Sequence, residues 1–168
     1  MMLRRRRRSR LKGLLLLVSL GASVIGASYL LLVLDSTSRT GDGNRFAEIK
    51  VQVYYSSGCG CCREYVRYLK GHGFYVDPVV TEDMEGVKLA MGVPRSLWSC
   101  HTSRIGEYFV EGHVPVEFIE RLLREKPPID GIALPGMPQG SPGMAGSKTQ
   151  PFIIYSVSQG RIGEFGRS

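Results

Sequence analysis

The sequence predicts an α/β domain in which helices flank one sheet, preceded by one N-terminal transmembrane or signal segment. After residue 48, short β-type runs alternate with helical patterns, and glycines and prolines separate them. An uncharged apolar stretch predicts the N-terminal segment. The 168 residues therefore divide into a basic region at 1–12, the apolar segment at 13–34, an expected flexible linker at 35–47 and the domain at 48–168.

The positive charge of the chain lies at its N-terminus. Seven arginines and lysines stand within residues 1–12, no acidic residue occurs in residues 1–34, and the net charge of the whole chain is +7. The rest of the chain is therefore neutral, which argues against a nucleic-acid partner for the domain. Because basic flanks stay on the cytoplasmic side of a membrane, we expect the domain in the periplasm or another extracytoplasmic compartment.

The segment 13–34 is expected to remain as a signal anchor in the inner membrane. Its 22 residues are long enough to span a bilayer, and no A-x-A cleavage motif ends it. Cleavage near residues 26–28, followed by secretion, is the alternative. Residues 7–12 resemble a twin-arginine export signal only loosely. Either route brings the cysteines into an oxidising compartment.

The first half of the domain reads as strand, helix and strand. Residues 49–55 alternate apolar and polar side chains, as in a strand with one buried face. A helix is predicted from Cys61 to Lys70, ended by glycines. Residues 74–80 form the second predicted strand, and Pro78 within it favours a position at the sheet edge.

The second half contains two further helices and the remaining strands. A second helix follows a capping region at 81–83, with Met84 and Met91 on its apolar face. Residues 101–110 predict a strand or a short hairpin, and a third helix opens at Pro115. Residues 132–150 are expected to be a long functional loop. The last predicted strands are residues 152–157 and 162–165.

Three of the four cysteines lie at the junction of the first strand and the first helix. Cys62 shares the helix face of Val66 and Leu69 and should meet the sheet, whereas Cys61 points about 100° away around the helix. Cys59 and Cys62 form a C-x-x-C motif. Such a motif after the first strand of an α/β domain is typical of a thioredoxin-like sheet, which is therefore the predicted architecture.

Further candidate ligands for a metal ion stand elsewhere in the chain. In a thioredoxin-like sheet the loop before the 101–110 strand faces the first helix, so Cys100 and His101 should approach the cluster. His113 precedes the third helix, whose dipole disfavours protonation of the imidazole. Met137 and Met144 lie in the Gly/Pro-rich loop, without a helical face to pack into. Thiolate and thioether sulfur together favour Cu(I), and four cysteines with a histidine leave zinc as the alternative.

Other interpretations of the same residues stay open. The cysteines could form two structural disulfides, as in many exported proteins. Cys59 and Cys62 alone could be a redox dithiol, which makes a thiol–disulfide oxidoreductase the alternative function. A zinc-stabilised interaction module is a third hypothesis. His101 and His113 could be structural, and the two loop methionines could pack on the core. The residues favour a metal-binding protein over an enzyme.

Five motifs in order resemble the CopG-type copper-resistance proteins, a family long described as a metal-binding domain of unknown function. The resemblance spans residues 49–165. Its motifs are Tyr54-Tyr55-Ser56-Ser57-Gly58-Cys59-Gly60-Cys61-Cys62, Gly92-Val93-Pro94, Ser99-Cys100-His101-Thr102, Glu111-Gly112-His113-Val114-Pro115, and Leu134-Pro135-Gly136-Met137-Pro138 with Gly140-Ser141-Pro142-Gly143-Met144.

The resemblance implies a thioredoxin-like fold, a periplasmic location and a copper site. It implies Cys59, Cys61, Cys62 and Cys100 as the core sulfur ligands, with nearby histidines and methionines as additional ligands, and a copper-oxidoreductase role has been considered for such proteins. We expect copper, held in a multinuclear cluster, for resistance or trafficking. The expected partners are the metal ion, the membrane through residues 13–34 and a copper-trafficking protein.

Overall fold

The computed structural model describes residues 48–168. The predicted basic region, apolar segment and linker therefore lie outside the described residues. Between residues 48 and 168, no helix combines the length and the hydropathy needed to cross a bilayer. These residues form a mixed α/β fold with one seven-stranded sheet and three α-helices.

The secondary structure follows the predicted order of strands and helices, apart from one short 3-10 helix and one strand that were not predicted. The elements are β1 (Lys50–Tyr55), α1 (Gly60–Gly71), β2 (Tyr75–Val80), α2 (Met84–Ala90), a 3-10 helix (Arg95–Leu97), β3 (His101–Ile105), β4 (Tyr108–Gly112), α3 (Val116–Glu125), β5 (Gly131–Leu134), β6 (Ile153–Ser158) and β7 (Arg161–Arg167). Of the two alternatives for residues 101–110, the hairpin is correct, since β3 and β4 pair antiparallel.

The strands lie in the order β2-β1-β3-β4-β5-β6-β7. β1 pairs parallel with β2, and β4 pairs parallel with β5, whereas the other neighbours are antiparallel. Pro78 lies in β2, the edge strand, as predicted. A proline is tolerated there because an edge strand leaves some of its N–H groups without a ladder partner.

The sequence-based prediction of a loop over residues 132–150 is wrong at its start. Residues Gly131–Leu134 form β5, a fully buried strand between β4 and β6. A strand that is buried on both faces has no polar alternation, and four residues are too few for periodicity to reveal it. Gly131 packs so closely on Phe109 that an added Cβ would lie 2.3 Å from the Phe109 carbonyl oxygen.

The predicted apolar face of α2 is also only partly correct. Met84 and Met91, expected in the core, are half-buried. The buried residue of this helix is Lys88, which is 4% exposed. Lys88 lies four residues after Met84, on the same side of the helix. The sequence pattern therefore located the inward face but not the charge that occupies it.

The core groups the buried face of α1 with Val51 and Val53 of β1 and Ile105 of β3. On α1 the buried residues are Cys62, Tyr65, Val66 and Leu69, so the predicted inward position of Cys62 is confirmed. Tyr55 at the end of β1 pairs with His101 at the start of β3. This antiparallel register brings the loop after β1 and the loop before β3 to the same end of the sheet, which is where the cysteines lie.

Candidate metal site

The four cysteines form one cluster at this end of the sheet. Their Sγ atoms all lie within 4.8 Å of one another. Cys59 and Cys62 form a disulfide with a Cα–Cα distance of 5.4 Å. Cys61 and Cys100 are free thiols, and the Sγ atom of Cys61 lies 3.6 Å from that of Cys59 and 3.9 Å from that of Cys100. The expected approach of Cys100 to the cluster is confirmed.

Two histidines extend the cluster on the side of Cys100. The Sγ atom of Cys100 lies 3.4 Å from Nδ1 of His101 and 3.1 Å from Nε2 of His113. These three residues form a second group whose candidate ligand atoms lie within 4.8 Å of one another. Cys100 belongs to both groups, so its thiol lies between the other sulfur atoms and the imidazole nitrogens.

The orientation of His113 is set by a backbone carbonyl. Its Nδ1 atom lies 2.6 Å from the carbonyl oxygen of Pro142, which can only accept a hydrogen bond. Nδ1 therefore carries the hydrogen, and in the neutral ring the lone pair of Nε2 faces Cys100. Burial lowers the pKa of His113, with the Pro142 hydrogen bond opposing the shift, so the neutral ring is favoured.

His101 is fully buried beside His113 and Tyr65. Its ring centroid lies 4.5 Å from that of Tyr65 and 4.7 Å from that of His113. Burial, and then the repulsion that a second protonated imidazole at His113 and the ammonium of Lys88 would exert, lower the pKa of His101 well below its usual range. A hydrogen bond with the Gly112 backbone opposes this shift, and the ring nitrogen that faces Cys100 and could bind a metal is Nδ1.

The thiol of Cys100 is held in its neutral form in the metal-free protein. Burial, followed by the neighbouring Cys61 thiol, raises the pKa of Cys100 to about 12. A metal ion would have to displace the proton, so metal binding at Cys100 would release it.

The loop after β5 lies directly on the site. A Cβ at Gly143 would lie 2.7 Å from the Tyr65 nitrogen and 2.9 Å from the Cys61 carbonyl oxygen, so this loop contacts the first turn of α1. Met144 follows this contact and is half-buried. Met137 is 41% exposed and has a φ angle of +48°. The structure thus brings together six of the eight predicted residues and places Met144 next to a residue that contacts the cluster.

A buried ion pair behind Cys100 was not predicted from the sequence. Lys88 and Glu111 are joined at 2.5 Å, and Glu111 also accepts hydrogen bonds from Thr102 Oγ1 at 2.6 Å and from the Ser99 N–H at 2.5 Å. Burial raises the pKa of Glu111, and the three surrounding donors oppose that rise. A charged residue in the sequence gives no sign of burial by itself, so only the strand and helix placement could reveal this pair.

The chemistry of this site is that of soft and borderline ligands. Four sulfur atoms and two imidazoles with depressed pKa values converge, and no carboxylate belongs to either ligand group of the described residues. Thiolate and imidazole ligands suit copper and zinc and suit magnesium or calcium poorly. The disulfide also allows two-electron thiol chemistry at Cys59 and Cys62.

Comparisons with known proteins point to one family. Residues 97–144 match the family model described as "Protein of unknown function, DUF411", which includes Cys100 and His113 but begins after Cys62. The comparison with curated proteins found no match. Two solved structures of copper resistance protein CopG, forms 2 and 1, are each 38% identical to this chain with a TM-score of 0.67. The alignments cover 71% of this chain and 98% and 97% of those chains, so this chain belongs to the CopG-type copper-resistance family.

Proposed function

We propose that this protein binds copper, as Cu(I) in a multinuclear cluster, for copper resistance or trafficking. The observation that carries the proposal is the convergence of four Sγ atoms within 4.8 Å, with two imidazoles on one side. The relatives described as copper resistance proteins support copper as the metal. Cys59, Cys61, Cys62 and Cys100 are the core ligands, and His101, His113, Met137 and Met144 are the additional ones.

Vicinal cysteines favour several metal ions over one. Cys61 and Cys62 project from α1 in directions about 100° apart. Cys62 faces the core, whereas Cys61 is half-buried and lies beside both Cys59 and Cys100. Because the two side chains diverge, their thiolates reach different Cu(I) ions more easily than one shared ion, and a thiolate between two ions can bridge them. Cu(I) tolerates the low coordination numbers that result. A zinc ion with four ligands is the alternative, and elemental analysis of protein purified without added metal distinguishes the two.

The test is an anaerobic Cu(I) titration of the reduced full chain against a competing chelator. We expect tight binding that is lost in the Cys59→Ser/Cys100→Ser variant, because both ligand groups lose a sulfur atom. Ser96→Ala, at an exposed position, is the control and should bind as the unmodified chain does. Weak binding by the unmodified chain, or undiminished binding by the double variant, would refute the proposal.

A thiol–disulfide oxidoreductase is the second candidate, favoured by the Cys59–Cys62 disulfide. In this reaction the reduced pair gives two electrons and two protons to a substrate disulfide and becomes the disulfide seen here. Metal-free protein should then turn over a model disulfide, and Cys61→Ser should leave the rate unchanged. Copper binding predicts instead that Cys61→Ser and Cys100→Ser both weaken metal affinity, while metal-free turnover is absent.

We infer a thioredoxin-like architecture for the domain from six of its elements. A parallel β1-α1-β2 unit is followed by an antiparallel β3-β4 hairpin and α3, and the four strands lie in the order β2-β1-β3-β4. Strands β5, β6 and β7 extend the sheet beyond this unit. The loop between β5 and β6 then supplies Pro142 and Gly143 to the site.

We also propose that residues 1–34 export and anchor the domain, with a copper-trafficking protein as its partner on that side. The support is the basic region followed by 22 uncharged residues. Alkaline phosphatase fused after residue 47 is active only outside the cytoplasm. Activity in the membrane fraction supports an anchor, activity in the soluble fraction supports cleavage, and an inactive fusion contradicts export.

A further inference from the structure

We propose that the buried Lys88–Glu111 pair positions Cys100, by holding the backbone N–H of Ser99 and the side chain of Thr102 on the two sides of the Cys100–His101 dipeptide. The expected effect on copper affinity rests on the proposed function, whereas the expected effect on the proximity of the Cys61 and Cys100 thiols does not. Neither side chain belongs to the two ligand groups of the site. Both act through the residues that flank a ligand.

The carboxylate of Glu111 connects the two flanking residues. Its Oε1 atom accepts a hydrogen bond from the backbone N–H of Ser99 at 2.5 Å, and its Oε2 atom accepts one from Oγ1 of Thr102 at 2.6 Å. Ser99 precedes Cys100, and Thr102 follows His101. One rigid planar group therefore fixes the start and the end of the segment that carries both candidate ligands.

Lys88 on α2 completes the arrangement by donating to both of these side chains. Its Nζ atom donates to Oε1 of Glu111 at 2.5 Å and to Oγ1 of Thr102 at 2.9 Å. Lys88 is 4% exposed, and Glu111 and Thr102 are fully buried. Hydrogen bonds with charged partners in a buried setting are stronger than neutral ones, and a closed ring of them permits little movement.

Close packing between Gly112 and Ser99 is a second observation that Ser99 is held in place. Its φ angle is +73°, and a Cβ there would lie 2.8 Å from the Ser99 Cβ and 2.4 Å from the Leu134 carbonyl oxygen. The absence of a side chain at residue 112 lets the Ser99 loop lie directly against the end of β4. The same short segment thus holds Ser99 by the hydrogen bond that the Ser99 N–H donates to Glu111 and by close packing at Gly112.

Stability alone is a poor explanation for this pair. Replacing a buried ion pair with apolar side chains of similar volume is often neutral or stabilising, because desolvation of two charges offsets their attraction. The other ion pairs of the described residues lie at the surface, as in Lys50–Asp77, whose side chains are 52% and 38% exposed. The one buried pair lies directly behind Cys100, where a fixed backbone position affects the site.

The test measures the proximity of Cys100 to Cys61 without any metal. In the full chain with Cys59→Ser/Cys62→Ser, Cys61 and Cys100 are the only cysteines left. Diamide then oxidises these two thiols to a disulfide, and alkylation with mass spectrometry gives the rate. We expect Lys88→Met/Glu111→Leu to slow this reaction about tenfold or more, the factor that corresponds to losing a hydrogen bond to a charged group.

The control is the matched double substitution at the surface pair, Lys50→Met/Asp77→Leu, which should leave the rate unchanged. Circular dichroism and thermal unfolding establish that each variant is folded. A folded Lys88→Met/Glu111→Leu protein that forms the disulfide at the unmodified rate overturns the proposal. If that protein does not fold, Thr102→Val removes one of the two holding contacts; a slower reaction in it supports the proposal, and an unchanged rate overturns it.

A separate measurement connects this positioning to copper. In the chain with all four cysteines, Lys88→Met/Glu111→Leu should lower Cu(I) affinity about tenfold or more, as loss of an outer contact to a metal ligand commonly does. Undiminished copper affinity in the folded variant contradicts the positioning role. Failure of the unmodified chain to bind copper refutes the proposed function instead, and the disulfide rates still decide whether Lys88 and Glu111 position Cys100.

Discussion

His113 directs its Nε2 atom at the Sγ atom of Cys100 over 3.1 Å, while its Nδ1 atom donates to the carbonyl of Pro142 at 2.6 Å. Pro142 lies in the loop between β5 and β6, His113 lies between β4 and α3, and Cys100 directly precedes β3. The β5–β6 loop thus determines which nitrogen of His113 faces the Cys100 thiol. Three separate parts of the sequence meet in this relationship.

The first prediction concerns this imidazole as a copper ligand. His113→Ala should lower Cu(I) affinity by about tenfold to a hundredfold, because a nitrogen facing Cys100 is lost. Competition with a chelator measures the change. His72→Ala is the matched control, since His72 is an exposed histidine that contacts the Tyr68 carbonyl. Equal losses in the two variants would show that His113 is not a ligand.

The second prediction concerns the contact of the β5–β6 loop with α1. Gly143→Ala should destabilise the protein and weaken copper binding, because its Cβ would clash with the backbone of Tyr65 and Cys61 and would displace the Pro142 carbonyl. The positive φ of +81° adds about 1–2 kcal/mol for any side chain with a Cβ. Chemical denaturation of metal-free protein and Cu(I) competition measure the two effects.

Gly136→Ala separates the clash from the backbone cost. Gly136 lies in the same loop with a φ of +78°, but a Cβ there would meet no atom within 4 Å. This variant should lose only the backbone contribution and keep its copper affinity. If both variants lose the same stability and neither loses affinity, the close approach at Gly143 has no role in the site.

The sequence allowed prediction of the local parts of this site better than its long-range contacts. The C-x-x-C spacing and the helical periodicity placed Cys62 on the buried face of α1, because both depend on neighbours within two turns. Cys100 was expected near the cluster from the β1–β3 arrangement, and the pairing of Tyr55 with His101 confirms the reason. These inferences required only strand order and the ends of elements.

Other contacts depend on tertiary structure that no local pattern encodes. The Pro142 carbonyl is a backbone atom, so its role towards His113 has no signature in residue type. Lys88 stands among apolar residues of α2 and was passed over, because its partner Glu111 lies on a strand 23 residues later. Strand β5 was missed since its four residues are buried on both faces and do not alternate.

The third prediction concerns pH. Burial lowers the pKa values of His101 and His113. Both imidazoles therefore stay neutral in the native state, whereas in the unfolded chain they take up protons below about pH 6.5. Their contribution to stability is therefore complete above that pH and is lost as the pH falls towards the native pKa values. The free energy of unfolding of metal-free protein should fall by up to about 1.4 kcal/mol per histidine per pH unit.

Denaturation series from pH 8 to pH 5 check this dependence. His101→Gln/His113→Gln should flatten the slope below pH 6.5, and His72→Gln should leave it in place. An identical slope in all three proteins would assign the acid sensitivity to carboxylates. The Cys100 thiol affects stability at high pH instead. Because its pKa is raised from 9.0 to about 12 in the native state, the unfolded chain loses this proton first, and the free energy of unfolding falls as the pH rises above 9.

The fourth prediction concerns oxidation of the Cys59–Cys62 pair. The disulfide occupies two of the four sulfur atoms and leaves Cys61 and Cys100 as free thiols. Reduction adds two electrons and two protons and restores all four. Oxidised protein should therefore bind fewer Cu(I) ions, and with lower affinity, than reduced protein, since a disulfide sulfur is a far weaker ligand than a thiolate.

Anaerobic titration of the two forms, with thiol counts before and after, measures this difference. Cys59→Ser/Cys62→Ser cannot form this disulfide, so in its reduced form it should bind the same small number of Cu(I) ions as the oxidised unmodified chain. That variant separates loss of the two sulfur atoms from any other effect of the oxidant. Equal copper binding by the oxidised and reduced unmodified chains would mean that Cys59 and Cys62 take no part in holding copper, and that the metal depends on Cys61, Cys100 and the two histidines.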